Sequence, residues 1–549
     1  LRHQAALVLA AAESPLPPSA AASGVAASGA PGGDLIEEGL QFLEPFVQSE
    51  RSYPDLATLL GGVGDRVTLS GTDVAAYPPS PNGSGGEVSI SRVTPLPGEL
   101  MEKLGAMQTN CLMGVFPEAS RAWLTVDNEF FLWNYEDGSD LAYYDGLQDA
   151  IVAVGFVQPR RDVFADEVHH LLCLATPLEL AVLGVSYQSG QVHLLAEPLL
   201  RLPTDGQVVT CIEGSRSTGR LFAGTQSGCL LEVAYEERRR PVHVPSFISS
   251  LAAADDPICQ VCVDDSRRLV YTRSQESTVF AYALSAEAGD TAARRVAALR
   301  GSDLAAHAAR IAHMVDRSCL TDIVHLSPLT AQHSAMLYLM AVTGSGVRFY
   351  FDARLRLAHV RLGPMCPSLP RLADIRLATE SRGTVLMLAS RGEDRDTLYV
   401  LSPDPFPRRP QLQRGLAPWP CLDHVLPAQP AAGLSGHRHR SQLHDGPLVG
   451  RPYPPVFLTQ HVDPVRRFLL VSVHGLVLLE LQTPLMRLAG LLAANQPDSR
   501  PVTDWFAHFG PEESSCVCLI LACCCDSDDL VRERALAAVM LHGTAAAVR

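Results

Sequence analysis

The sequence predicts a mainly β protein, a β-propeller of about seven blades followed by the start of an α-helical solenoid. Three observations carry this. A hairpin pattern recurs along most of the chain: a short apolar strand, a tight turn, then a second strand alternating apolar and polar residues. Its copies are mostly about 50 residues apart, the period of units that each form one small twisted sheet. After residue 500 the pattern changes to longer apolar runs opened by acidic residues, as helix N-termini favour.

The hairpins fall at 121–136 (RAWLTVDNEFFLWNYE), 170–187, 220–235, 268–284, 336–351, 383–401 and 467–481, with Gly, Ser and Asp in many of the turns. A pair of stacked β-sandwiches is the rival arrangement, but it does not give about seven evenly spaced hairpins. Residues 1–33 are Ala-rich and low in complexity, and read as a disordered leader. Residues 34–115 read as a helical or extended lead-in, 116–484 as the propeller and 485–549 as the truncated start of the solenoid. Two segments interrupt the ring. Residues 303–317 place Leu304, Ala308, Ile311 and Met314 near one helical face, while 403–455 are rich in Pro, His and Arg and predict an unstructured excursion. In the tail, 504–525 and 526–543 each read as one helix.

A net charge of −15 argues against a nucleic-acid platform, which needs a concentrated basic face. No apolar run approaches the roughly 20 residues that span a bilayer. The 14 cysteines follow no regular framework and fit a reducing, cytosolic or nuclear compartment. Cys259 and Cys262 form a CxxC inside a strand, where positions three apart face opposite ways, so zinc is not expected. Glu136, Asp137, Asp140 and Asp145 invite a catalytic reading, but their Asp-Gly pairs are turn formers and no partner motif accompanies them. Trp123, Leu124, Phe131 and Trp133 are read instead as strand residues packing one blade on the next. Neither catalytic residue, metal nor cofactor is expected.

The stretch FPEASRAWLTVDNEFFLWNYEDGSDLAYYDGL, 116–147, resembles a signature segment of the one-hundred-and-fifty-five-kilodalton inner-ring scaffold nucleoporin family. Collinear pieces do the same, among them SERSYPDLATLL, GEVSISRVTPLPGELMEKLGAMQTNCLMGVF, HLLCLATPLELAVLGVSY, DDPICQVCVDDSRRLVYTRS and SCVCLILACC, so that the resemblance covers roughly residues 40–530. It implies a propeller and a long helical solenoid in a non-enzymatic scaffold of the nuclear pore, serving nucleocytoplasmic transport. It also implies other inner-ring nucleoporins as partners, including the linker nucleoporin with an RNA-recognition-type domain, and integral pore-membrane nucleoporins. The chain departs from the family in its short solenoid and in 403–455, which match poorly.

One connection between blades, EERRRPVHVPSFISSLAAADDP at 236–257, stands out. Arg238, Arg239 and Arg240 are the densest basic run of an acidic chain. Val244, Phe247, Ile248 and Leu251 follow at i, i+3, i+4 and i+7, one face of a short helix, with Ser246, Ser249 and Ser250 opposite and Pro245 in the first turn. A serine-rich face with bulky apolar anchors beside arginines suits a curved anionic membrane, and the resemblance points to the pore membrane. The alternative is a loop folded back with Phe247 and Ile248 covering a blade. A propeller–solenoid coat or adaptor of vesicle traffic is the competing function.

Overall fold

Every one of the seven hairpins supplies two adjacent strands of a small sheet. The computed structural model describes residues 55–60, 66–72, 88–160, 163–188, 191–233, 235, 246–248, 256–285, 293–331, 333–364, 372–381, 384–390, 395–403, 423–427, 431–432, 460, 465–472, 475–523 and 528–543. The leader 1–33 lies outside them. Blade 1 runs Cys111–Phe116, Arg121–Val126, Glu129–Asn134 and Ala142–Tyr144, each strand antiparallel to the next. Blades 2 to 6 repeat the arrangement, beginning with the strands Ala153–Val157, Val209–Gly214, Ile258–Asp264, Ile323–Pro328 and Ile375–Ser381. Blade 7 joins Arg467–Ser472 and Gly475–Leu481 to a strand from the lead-in, Val88–Thr94.

The central strands are apolar on both faces because each sheet is packed between two others. Phe130, Leu132, Leu172 and Leu183 share the core between blades 1 and 2, and Phe222, Leu230, Val270 and Tyr282 that between blades 3 and 4. The series returns on itself, with Val471 and Leu476 of blade 7 in one cluster with Met113, Leu124, Phe131 and Trp133 of blade 1. Trp123 packs on the other side of blade 1, against the cluster shared with blade 2. Asp127, at φ +54°, turns the blade 1 hairpin, and its carboxylate accepts the amides of Gln108 at 2.9 Å and Thr109 at 2.6 Å.

Three local expectations are corrected. Within 403–455, Asp423–Pro427 pairs with Arg395–Pro403 as an outer strand of blade 6, and Ala431–Ala432 pairs with the same neighbour. Proline is compatible with such an edge, since it withholds only a donor that no further strand needs. The helix near 303 runs Gly301–Ile311 and buries Leu304, Ala305 and Ala308, while Met314 lies past its end and is 52% exposed. In the tail, Gly510 at φ +88° and Pro511 divide the first expected helix into Arg500–Phe509 and Pro511–Cys523. Those two, with Asp529–His542, belong to a second compact unit that starts at Leu488.

Candidate functional site

Strands of a blade alternate in direction, so connections after the first and third strands leave on one face of the ring. The segment at 236–257 spans the connection after the third strand of blade 3, Leu230–Val233, and its return as the fourth, Ser246–Ile248. The return strand pairs Leu230 with Ile248, Leu231 with Phe247 and Glu232 with Ser246. The helix expected from Val244 to Leu251 is therefore corrected at its centre. The backbone through Phe247 and Ile248 is an extended strand, not the helical turn on which the apolar stripe depends. Arg238, Arg239, Arg240, Val244 and Leu251 lie outside the described residues.

The root of the connection is built from buried polar groups. Arg220 donates from Nε to Glu232 Oε1 and from Nη2 to Glu232 Oε2, each at 2.6 Å, and the two residues are 6% and 0% exposed. Arg160 of the neighbouring blade brings Nη2 to 3.8 Å from Glu232 Oε1 and sets its guanidinium 5.2 Å from the Tyr235 ring centre. Tyr235 donates to the Gly219 carbonyl at 2.5 Å and accepts the Arg160 amide at 3.1 Å. Burial pushes its phenol up to about 12, which keeps the hydroxyl a donor at neutral pH. Sequence reasoning missed Arg160, Arg220, Glu232 and Tyr235. The available signal was the carboxylate in the apolar strand LLEV, a position that needs a buried cation.

The same face carries the connections after the first strands of blades 1, 3 and 4, and these are tied together. Asp265 accepts from the Ser215 hydroxyl at 2.5 Å and the Arg216 amide at 2.9 Å. The Arg216 side chain reaches Glu118 of blade 1, two blades away. The described residues that flank 236–245 thus belong to a face whose connections are tied together.

The acidic cluster is structural in its geometry. Asp140 pairs with Arg121 and accepts the Val192 amide, Asp137 accepts from the Ser139 hydroxyl and amide, and Glu136 is exposed. Cys259 and Cys262 lie on one strand, Ile258–Asp264, with Cys262 buried. Among the described residues no group of His, Cys, Asp and Glu is placed to hold a metal ion.

Comparison with known proteins agrees with this frame. A nucleoporin family model described as Nup133 N terminal like matches residues 87–406. The Drosophila melanogaster nuclear pore complex protein Nup154 is 31% identical over 363 residues, 61% of this chain and 26% of its own. Nucleoporin NUP170 of Saccharomyces cerevisiae is 26% identical over 315 residues, 49% of this chain and 21% of its own. The chain thus spans about a quarter of the length of these curated relatives, which are structural nucleoporins rather than enzymes. The crystal structure of the Chaetomium thermophilum Nup170 N-terminal domain in complex with Nup53 matches with a TM-score of 0.77 at 22% identity, covering 92% of this chain and 77% of that one, a likeness of fold. With more than half its length matched by the family, this chain belongs to the Nup133 N-terminal-like nucleoporins, and its place is the nuclear pore complex.

Proposed function

We propose that the chain is a non-enzymatic scaffold element of the inner ring, whose propeller holds protein partners and touches the curved pore membrane through 236–257. Inner-ring nucleoporins are the partner class, including the linker nucleoporin with an RNA-recognition-type domain. The Nup170 neighbour, captured as a complex with Nup53, supports a partner of that kind. Integral pore-membrane nucleoporins complete the set. The observation that carries the membrane reading is the braced stem at Glu232, Arg220 and Tyr235 beneath a connection that holds three consecutive arginines. A fixed stem lowers the ordering cost of presenting a short basic segment to a surface. A few half-buried apolar side chains give about 3–6 kcal/mol before ordering costs, so engagement relies on many copies in a ring.

The test is flotation with small and large vesicles containing anionic phospholipid. Substitutions belong at Arg238→Glu, Arg239→Glu and Arg240→Glu, with Val244→Asp, since Phe247 and Ile248 sit in a paired strand whose disruption would confuse the result. Binding to small vesicles that these variants lose supports the contact. Binding that the variants retain removes it.

A further inference from the structure

We propose that residues 55–60 and 66–72 form two attachments of a releasable strap, and that the outer edge of blade 5 beneath the second is a strand-acceptor site for an extended peptide carrying hydroxyl side chains two residues apart. Blade 5 is complete without the strap: Ile323–Pro328, Leu339–Thr343, Arg348–Phe351 and Leu357–Arg361 form its four antiparallel strands. Thr68–Ser70 then adds a fifth strand on the outside, and among the described pairings this one alone is parallel. It is three residues long, so the ladder itself contributes few hydrogen bonds.

Side chains do the fastening. Thr68 Oγ1 lies 2.6 Å from His359 Nδ1 and Ser70 Oγ lies 2.8 Å from His359 Nε2, so one imidazole holds both hydroxyls of the strand. His359 is 1% exposed. A neutral imidazole offers one donor and one acceptor, and either tautomer satisfies a hydroxyl at each nitrogen. Arg361 Nη1 donates to Ser70 Oγ at 2.9 Å, and the Leu362 amide donates to the Ser70 carbonyl at 3.0 Å. Gly71, at φ +78°, ends the strand.

The other end of the strap is pinned separately. The Asp55 carboxylate accepts from the Ser334 hydroxyl at 2.5 Å and the Ala335 amide at 2.6 Å, and Ala57 and Leu60 enter the core between blades 5 and 6. Two short attachments on one segment behave as a bivalent ligand, in which loss of one lowers the effective concentration for the other. Val67 and Leu69 add partly buried apolar contacts to the core between blades 4 and 5, and short segments fastened at two small points open locally, below the cost of global unfolding. Opening bares the edge of Leu357–Arg361 with its imidazole. That edge recognises a hydroxyl-x-hydroxyl segment entering parallel, through main-chain bonds and the two ring nitrogens.

The experiment pairs Thr68→Val and Ser70→Ala in the full chain and reads amide hydrogen exchange. The proposal expects exchange at 68–70 and at Leu362 to rise about tenfold or more. It also expects a rise at 57–60, with blades 1 to 4 unchanged. A synthetic peptide of residues 66–73, RVTLSGTD, is then added in trans at about 1 mM. It should restore protection at Leu362 in the variant and leave the unsubstituted chain unaffected. Exchange that rises throughout the ring, or stays unchanged at 57–60, overturns the strap. Failure of the peptide to protect Leu362 in the variant overturns the acceptor site.

Discussion

Arg121 Nη2 lies 2.6 Å from Asp140 Oδ2, and the same carboxylate oxygen accepts the Val192 amide at 2.9 Å. The acid therefore joins the second strand of blade 1 to the fourth strand of blade 2. Removing it takes the carboxylate from a guanidinium that is 6% exposed and that also donates to the carbonyls of Ala119 and Ser120. Asp140→Ala is expected to lower stability by about 2–4 kcal/mol, measured as a shift in the urea midpoint at unchanged slope.

The Arg220–Glu232 pair obeys the same logic more strongly, since Glu232 is fully buried. Glu232→Ala should cost about 3–5 kcal/mol, whereas the double change Arg220→Met with Glu232→Leu should fall far short of the sum of the single effects. A double-mutant cycle by chemical denaturation checks this, and additive losses would show that the charges do not act as a pair.

Asp127 predicts an acid effect of defined sign. Its hydrogen bonds from the Thr109 hydroxyl and the amides of Gln108 and Thr109 lower its carboxyl from 3.8 to about 2. A depressed carboxylate protects the fold above the unfolded value and loses that contribution as pH falls through the folded one. Amide protection at 108–110 should therefore be constant from pH 7 to about 5 and decline between about pH 4 and 2.

His359 carries the same sign by a different route, since here the folded chain keeps the ring neutral. Burial, with Arg361 and Arg348 beside it, lowers its ring from 6.5 to about 3. The unfolded chain takes up a proton that the folded chain refuses, so this contribution is complete above about pH 6.5 and shrinks as pH falls toward 3. Stability should drop by no more than about 1.4 kcal/mol per pH unit from this group over that interval. The ring's NMR shifts should stay flat from pH 8 to 5 in the folded protein, and a titration near 6.5 would contradict the buried placement.

The seven hairpins were legible because their strands, packed on both sides, carry short near-continuous apolar runs separated by tight turns. The strand Val88–Thr94 escaped notice because a register shift between Ile90 and Arg92 breaks its alternation and its partner, Gly475–Leu481, comes only after blades 1 to 6 in the sequence. At 244–251 the apolar spacing fits a helical turn, yet tertiary pairing with Leu230–Glu232 makes 246–248 a strand. The acidic cluster falls in turns, as its Asp-Gly pairs imply, but Glu136, Asp137 and Asp140 lie between two strands of blade 1, and the anchoring of Asp140 depends on Arg121 and on a blade that sequence does not place beside it. The arginine run was legible as charge. Its braced stem was not, since Glu232 reveals its role only once Arg220 and Arg160 are brought to it.

The last blade combines Val88–Thr94 with Arg467–Ser472 and Gly475–Leu481. During synthesis the early strand leaves the ribosome long before its partners exist. Its row of backbone donors and acceptors must wait while blades 1 to 6 emerge, so a nascent chain halted before Gly475 carries an unclosed sheet edge at each end. Such an intermediate invites strand exchange with a second nascent copy. The completed ring is therefore a product of the whole sequence through Leu481, and the protein becomes safe from its own edges only when translation has passed that point.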